Sequence, residues 1–199
     1  MEPVTKIMQF KPSPSYLQDP SRFVSELAAK SSAETIDGAY HGLEVEDPSN
    51  AFWVFEWASL SAHGAHHQTD DFKAVKETVK QIHTTEPTHM FVHFSDPSRI
   101  FSAPVTEFVT FTLKEGINMD ALQPLVEQLQ DKLQGTPEFY GSSWAPVVDK
   151  PNVVHGVLGW ESVQAHWDAV SSGPLKEIID KVKEVADLWL VHAKLTQSK

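Results

Sequence analysis

Apolar residues recur along this chain with two different periods, and the change of period delimits the predicted elements. Runs rich in β-branched and aromatic residues predict four strands in the first half, at 6–11, 39–45, 51–57 and 88–94. Apolar residues three and four positions apart predict amphipathic helices after Asp19-Pro20, Ser59 and Thr69. The second half repeats this order, with strands at 105–111, 139–147, 152–160 and 188–195 and helices after Asp120, Ser162 and Gly173-Pro174.

One phrase, W-x-S-(L/V)-x-A-H, occurs twice, at 57–63 and at 160–166, which are 103 positions apart. Residues 4–10 and 105–111 also share Val, Thr and Phe in the same places, and residues 91–93 match 190–192. A period of about half the chain predicts a duplicated unit. We therefore expect two copies, residues 1–97 and 104–199, joined by a short linker whose apolar residues lie against the surface.

Several strands are apolar without alternation, as in Phe52-Trp53-Val54-Phe55. Such a strand is buried on both faces. A βαββαβ unit of this length is a ferredoxin-like arrangement that has helices on one sheet face only. The sequence therefore predicts an α+β protein with two tandem ferredoxin-like repeats, whose antiparallel sheets pack into a pseudo-dimeric barrel within one chain.

The composition indicates which cellular compartment and which classes of partner to expect. The formal charge of −11 disfavours nucleic acid and anionic membranes as partners. The chain has no cysteine, no stretch long and apolar enough to span a membrane, and no signal-peptide pattern at its start. We expect a cytoplasmic, acidic protein that is monomeric with an internal pseudo-two-fold, with further self-association left open.

The element order and the phrase W-x-S-x-x-A-H resemble the dimeric α+β barrel superfamily, and most closely its antibiotic-biosynthesis-monooxygenase-like (ABM-like) domains. The resemblance implies a pocket between the sheet and the helices of each half. Members include cofactor-independent oxygenases of aromatic polyketides, polyketide cyclases, haem-degrading monooxygenases and stress-related proteins. In haem-degrading members a tryptophan at the end of the third strand lies in the pocket, and Trp57 and Trp160 occupy the matching positions.

The candidate catalytic residues are four histidines, because an imidazole titrates near neutral pH and can act as a general base. They are His63 and His166 in the repeated phrase, and His93 and His192 in the two closing strands. The candidate substrate-binding residues are Trp57, Trp160, Tyr40, Tyr140 and Glu56. Glu56 lies in an apolar strand and needs a partner, such as a histidine, or a raised pKa. The alternative is core packing for the tryptophans, a structural hydrogen bond for the histidines and an ordinary strand position for the tyrosines.

His63, His66 and His67 form H-x-x-H-H, which can chelate a metal on one helix face, but a solvated helix start is the simpler interpretation. Nucleotide-binding and serine-hydrolase motifs are absent. The first hypothesis is a small-molecule enzyme of cofactor-independent oxygenase or cyclase type, acting on an apolar aromatic or polyketide-like substrate. The alternatives are a non-catalytic hydrophobic-ligand-binding or stress-related protein, and a haem-binding protein. We expect no metal and no resident cofactor.

Overall fold

The computed structural model describes residues 2–23 and 36–198 and shows an α+β protein. The chain divides into two compact units. Unit 1 is Met1–His93 with Leu195–Lys199, and unit 2 is Phe94–Lys194. The predicted boundaries of two evolutionary copies, 1–97 and 104–199, stay a prediction.

The elements of unit 1 are β1 (Val4–Phe10), α1 (Pro14–Gln18), β2 (Ile36–Glu44), β3 (Ala51–Trp57), α2 (Leu60–His66), α3 (Asp70–Ile82) and β4 (Thr88–Val92). The elements that follow are α4 (Ser98–Phe101), β5 (Val105–Leu113), α5 (Met119–Leu133), β6 (Phe139–Val147), β7 (Lys150–Trp160), α6 (Val163–Val170), α7 (Gly173–Val185) and β8 (Ala186–Gln197). The end of β8 belongs to unit 1. Residues 20–23 are helical after Asp19, as predicted, whereas the rest of that apolar stripe (Val24, Leu27 and Ala28) lies outside the described residues.

Each unit contains an antiparallel sheet with the same internal pairing. In unit 1, β1 pairs with both β3 and β4, and β2 pairs with β3. In unit 2, β5 pairs with both β7 and β8, and β6 pairs with β7. The registers correspond as well, because Val4 lies opposite Trp57 and Val105 lies opposite Trp160. A tandem duplication would explain this correspondence, and it stays a prediction, as does the barrel.

The helices of each unit pack on the sheet face that carries every second strand residue. In unit 1, Met8 and Phe10 of β1 share a buried cluster with Val75 and Ile82 of α3. In unit 2 the corresponding cluster joins alternate residues of β5 to α5 and α7. The consecutive residues 52–54 of β3 are each at most 2% exposed, so both faces of that strand are buried, as its unbroken apolar run predicts.

The helix that carries each copy of the repeated phrase begins at its serine. The Ser59 hydroxyl accepts a hydrogen bond from the Ala62 amide, and the Ser162 hydroxyl accepts one from the Ala165 amide, each at 3.0 Å. A hydroxyl at this position satisfies an amide that has no partner within the first turn. These caps fix where His63 and His166 project from α2 and α6.

Helix α5 begins earlier than the sequence pattern predicts. Its N-cap is Asn118, so Asp120 lies inside the first turn and does not form a capping box with Gln123. Pro124 is therefore an interior residue, and it leaves the carbonyl four residues earlier without its usual helical donor. The predicted linker contains α4, in which Ile100 and Phe101 are buried, as expected for apolar residues that lie against the protein.

We expect Gly156→Ala to destabilise the protein by about 1–3 kcal/mol, since overpacking forces side chains and backbone to move. A Cβ atom at Gly156 would lie 2.3 Å from Cε3 of Trp144. The matched control is Gly64→Ala in α2, where no atom lies within 4 Å of the new Cβ and alanine favours the helix. Urea unfolding followed by circular dichroism measures both, and equal stabilities of the two variants would contradict the expectation.

Candidate functional site

Unit 1 contains a cavity of about 130 Å³ between its sheet and its helices α2 and α3. Residues two apart on a strand face the same side, so β1 and β3 each present alternate side chains to it. Trp53, Phe55 and Trp57 of β3 line one wall, and Lys6 and Met8 of β1 lie beside them. The helices contribute His63, His66, His67, Phe72, Val75, Lys76 and Val79.

Lys6 is the charged group at the sheet wall of this cavity. Its Nζ lies 3.4 Å from Nε2 of His63 and 5.7 Å from the centroid of the Phe91 ring. Within the described residues, no carboxylate lies within ion-pair distance of this amine. Burial lowers the pKa of Lys6 to about 8, because an ammonium loses solvation in an apolar setting. The amine therefore titrates near physiological pH.

His63 is held neutral. Burial, followed by the positive charge of Lys6 and the neighbouring histidines, lowers the pKa of His63 to about 3. Its ring packs edge-on against Trp57, with the ring centroids 4.8 Å apart. A neutral imidazole has one nitrogen that accepts, so Nε2 can accept a hydrogen bond from the Lys6 ammonium. This imidazole positions the lysine and is poorly suited to hold a proton itself.

His66 and His67 pack against aromatic rings. The His67 ring stacks on Phe72 with centroids 3.8 Å apart, and His66 lies 5.5 Å from the Trp57 ring. Burial is the main cause that lowers the pKa of both histidines. The H-x-x-H-H pattern thus contributes ring contacts to the cavity wall.

Two buried polar atoms of cavity-lining residues have no hydrogen-bond partner among the described residues: Nε1 of Trp57 and Nε2 of His67. A buried donor without a partner costs about 1–3 kcal/mol, so such atoms are uncommon unless a ligand or water satisfies them. The indole Nε1 is only a donor. Together with the Lys6 ammonium it favours a ligand that carries an accepting oxygen.

The corresponding place in unit 2 has the opposite charge. Glu107 on β5 matches Lys6 on β1, since Glu107 lies opposite Leu158 and Lys6 lies opposite Phe55. The indole of Trp160 donates a hydrogen bond to Oε2 of Glu107 at 2.8 Å. Nε2 of His166 lies 3.7 Å from the same oxygen. All three side chains are buried.

The two closing-strand histidines lie in different settings. His192 is fully buried, and its Nε2 lies 2.9 Å from Nδ1 of His166. His93 follows β4, and its Nδ1 lies 2.7 Å from the carbonyl oxygen of Pro3, away from the cavity. In the paired strands, His192 lies opposite Glu107 and Phe91 lies opposite Lys6. His192 of unit 2 therefore corresponds to Phe91 of unit 1. The sequence match of His93 with His192 was therefore wrong by two positions.

The predicted tyrosines and Glu56 also lie away from the cavity. The Tyr40 hydroxyl donates to Oε2 of Glu56 at 3.0 Å, and both belong to the sheet face opposite Trp57. The Tyr40 hydroxyl is thus one partner of Glu56, for which a histidine or a raised pKa was expected. Tyr140 donates to Oε2 of Glu161 at the surface, and this bond raises the pKa of the Tyr140 phenol.

Sequence reasoning missed Lys6 and Glu107. The signal in the sequence was a charged residue inside an otherwise apolar strand. An apolar residue of the helix-facing side follows two positions later, so the charged residue lies on that side as well. The aligned segments 4–10 and 105–111 place Lys6 and Glu107 at the same position with opposite charge. A comparison of the two copies for charge would have identified both.

Among the described helices, none has the length and apolar character needed to cross a bilayer. No protein-family model matches the sequence, and no curated protein sequence matches it. Similarity is found among solved structures, and in the three described below it spans the whole chain.

Two of these structures are candidate monooxygenases. The one from Lactobacillus acidophilus has 14% identity and a TM-score of 0.69, and the match covers 100% of this chain and 95% of that one. The one from Fusobacterium nucleatum has 11% identity and a TM-score of 0.74, with coverages of 100% and 93%. An anthrone oxidase-like protein has 12% identity and a TM-score of 0.71, with coverages of 100% and 94%. At these identities the likeness establishes that the chain shares its fold with the three proteins.

Proposed function

We propose that unit 1 is the active site of a small-molecule enzyme of cofactor-independent oxygenase or cyclase type. Its substrate is an aromatic enol or phenol that reacts as its anion. The observation that carries the proposal is Lys6, a partly buried amine without a carboxylate partner among the described residues, at the wall of an aromatic cavity. A partly buried ammonium without a counter-ion loses solvation, and an anionic ligand in the cavity offsets that loss.

The cavity contents define the substrate class. Flat apolar walls, formed by Trp57 and Phe55 among others, favour a planar ring. Lys6 and the Trp57 indole supply donors, so the ring should carry an oxygen that accepts hydrogen bonds and can bear negative charge. An enolate or phenolate oxygen satisfies both requirements.

Proton transfer can be assigned to the lysine. In its neutral form the Lys6 amine takes the acidic C–H or O–H proton of the substrate, and the resulting ammonium stabilises the anion. The neutral His63 ring accepts a hydrogen bond from Nζ and fixes its direction. This assignment replaces the general-base role that the sequence suggested for a histidine, because His63 is protonated only near pH 3.

Haem binding is the remaining alternative. The histidine rings at the cavity wall pack on neighbouring aromatic rings, and we assign none of them as a haem ligand. The proposed reaction therefore does not use haem.

The reaction to test is suggested by the structural neighbours, which are named candidate monooxygenases and an anthrone oxidase-like protein. An anthrone has an acidic CH₂ group that lies across its central ring from the carbonyl and is conjugated to it through the flanking rings. Loss of a proton from this group gives an enolate that reduces dioxygen, and the products are an anthraquinone and water. We expect the protein to accelerate dioxygen uptake with anthrone. The value of kcat/KM should rise with pH and level off above about 8, as the Lys6 amine becomes neutral.

Lys6→Met should lower kcat/KM by about 100-fold or more, as expected for the loss of a group that stabilises an oxyanion. Lys80→Met is the matched control, since Lys80 is an exposed α3 lysine paired with Glu77. Rates of dioxygen uptake, measured with an oxygen electrode across pH for wild type and the two variants, test this prediction. Equal rates in wild type and Lys6→Met would refute the role of Lys6, and an absence of uptake would refute the oxygenase class.

A binding assay separates the site from the chemistry. 4-Nitrophenol changes colour on ionisation, so its absorbance reports whether the bound form is the phenolate. We expect wild type to favour the phenolate and Lys6→Met to lose that preference. Phenolate binding without dioxygen uptake would support the alternative of a non-catalytic ligand-binding protein.

A further inference from the structure

Unit 2 contains a buried cluster that the proposed reaction does not use. Glu107 comes from β5, His166 from α6 and His192 from β8, and their exposures are 4%, 3% and 0%. These residues are far apart in sequence, so the packing of three elements brings them together. Burying a carboxylate with two imidazoles is costly unless their charges and hydrogen bonds are satisfied.

The three side chains provide donors at the spacing of a metal site. One ligand atom from each residue lies within 4.8 Å of the other two. Simple geometry then gives a common point within about 2.8 Å of all three, compared with Zn–N and Zn–O bonds of about 2.0–2.2 Å. A movement of each side chain by less than an ångström would bring the three donors to bonding distance.

The chemistry of the set suits a divalent transition-metal ion. The two imidazole nitrogens of His166 and His192, 2.9 Å apart, share a single proton when no metal is bound, and a cation can take its place. Carboxylate and imidazole together are ligands that zinc and related ions accept. The negative charge of Glu107 then offsets part of the charge of the ion.

Trp160 supplies the outer contact that such sites require. Its indole donates to Oε2 of Glu107 at 2.8 Å and so orients the carboxylate. Hydrogen bonds of this kind to ligating side chains set their direction and affect metal affinity by about 10–100-fold. Trp160 itself is fully buried, which holds the indole in place.

We propose that unit 2 binds one divalent ion of the zinc type through Glu107, His166 and His192. The ion ties β5, α6 and β8 together and has a structural role, because the site is closed to solvent. This site is separate from the cavity of unit 1, and it stands or falls independently of the proposed oxygenase activity.

The test uses the full chain, treated with a chelator and then titrated with ZnCl₂ by isothermal calorimetry. We expect one ion per chain, a higher Tm with zinc, and visible ligand-field absorption when CoCl₂ replaces zinc. Glu107→Gln and His192→Asn should each weaken zinc binding by at least about 10-fold. The control His67→Asn removes a histidine of unit 1 and should retain wild-type affinity.

Three outcomes would overturn the proposal. They are less than a stoichiometric amount of bound zinc, unchanged affinity in Glu107→Gln and His192→Asn, or loss of binding in the unit 1 variant. If the unit 2 variants do not fold, ¹H–¹⁵N spectra of the histidine imidazoles in wild type show whether zinc binds at this cluster. Zinc must then shift the His166 and His192 signals, and unshifted signals would identify the cluster as a hydrogen-bonded set without metal.

Discussion

Replacing Trp53 by alanine should lower the free energy of unfolding by about 3–5 kcal/mol, as large-to-small core substitutions do. Trp53 is 1% exposed and lies at the centre of the aromatic cluster of unit 1. Its ring contacts Phe10, Tyr16 and Phe55 at centroid distances of 5.7, 5.9 and 6.0 Å. Its indole also donates to the buried Tyr16 hydroxyl at 2.9 Å, which the substitution would leave without this donor.

Urea unfolding of the full chain, followed by circular dichroism, measures this change. Trp189→Ala is the matched control, because Trp189 is 41% exposed and its loss should cost less than about 1 kcal/mol. Trp53→Phe should fall between the two, since it keeps a ring but lacks the donor. Similar losses in Trp53→Ala and Trp189→Ala would show that the cluster does not dominate the stability of unit 1.

Acid should destabilise the protein through His155, a histidine buried on the face of β7 that is opposite to α5 and α7. Burial lowers the pKa of His155 to about 3, and its Nδ1 lies 2.8 Å from the Thr110 hydroxyl. The unfolded chain takes up this proton near pH 6.5, well above the folded chain. Between these values the unfolded state binds more protons, so stability falls as the pH falls from about 6.5 towards 3.

The titration of His155 should lower the free energy of unfolding by about 2 kcal/mol when the pH falls from 7 to 5. Urea unfolding at both values, for wild type and His155→Asn, measures it as the difference between the two pH dependences. Thr110→Val is the control, because it removes the hydrogen-bond partner but keeps a buried imidazole that titrates. If His155→Asn shows the full wild-type pH dependence, the imidazole is not held neutral by burial.

The local features of the fold were predictable because they depend on neighbouring residues. The serine caps at Ser59 and Ser162 and the phase of the strands around Trp57 and Trp160 follow from spacing. The start of α5 was misplaced, since Asn118 and Asp120 both satisfy the pattern of an N-cap. A helix boundary depends on competition between adjacent candidates, which the pattern does not resolve.

The candidate site was predictable only in part. Trp57 and His63 were expected at the pocket and line the cavity, whereas Tyr40, Glu56 and His93 lie elsewhere. Strand period assigns a residue to one of two faces, but the face that carries the cavity depends on where the helices pack. Lys6 lies 57 positions from His63 in the chain, so their contact required the whole unit to fold.

The amino-acid sequence alone determined the order of elements, the burial of strands on both faces and the correspondence of the two halves, since these follow from period and composition. The tertiary structure decided in what surroundings the equivalent residues of the two halves lie. Lys6 faces a cavity beside His63, whereas Glu107 is enclosed by Trp160, His166 and His192. The physical reason is that a buried charge acquires its pKa and its partners from groups distant in sequence, which only packing brings within a few ångströms.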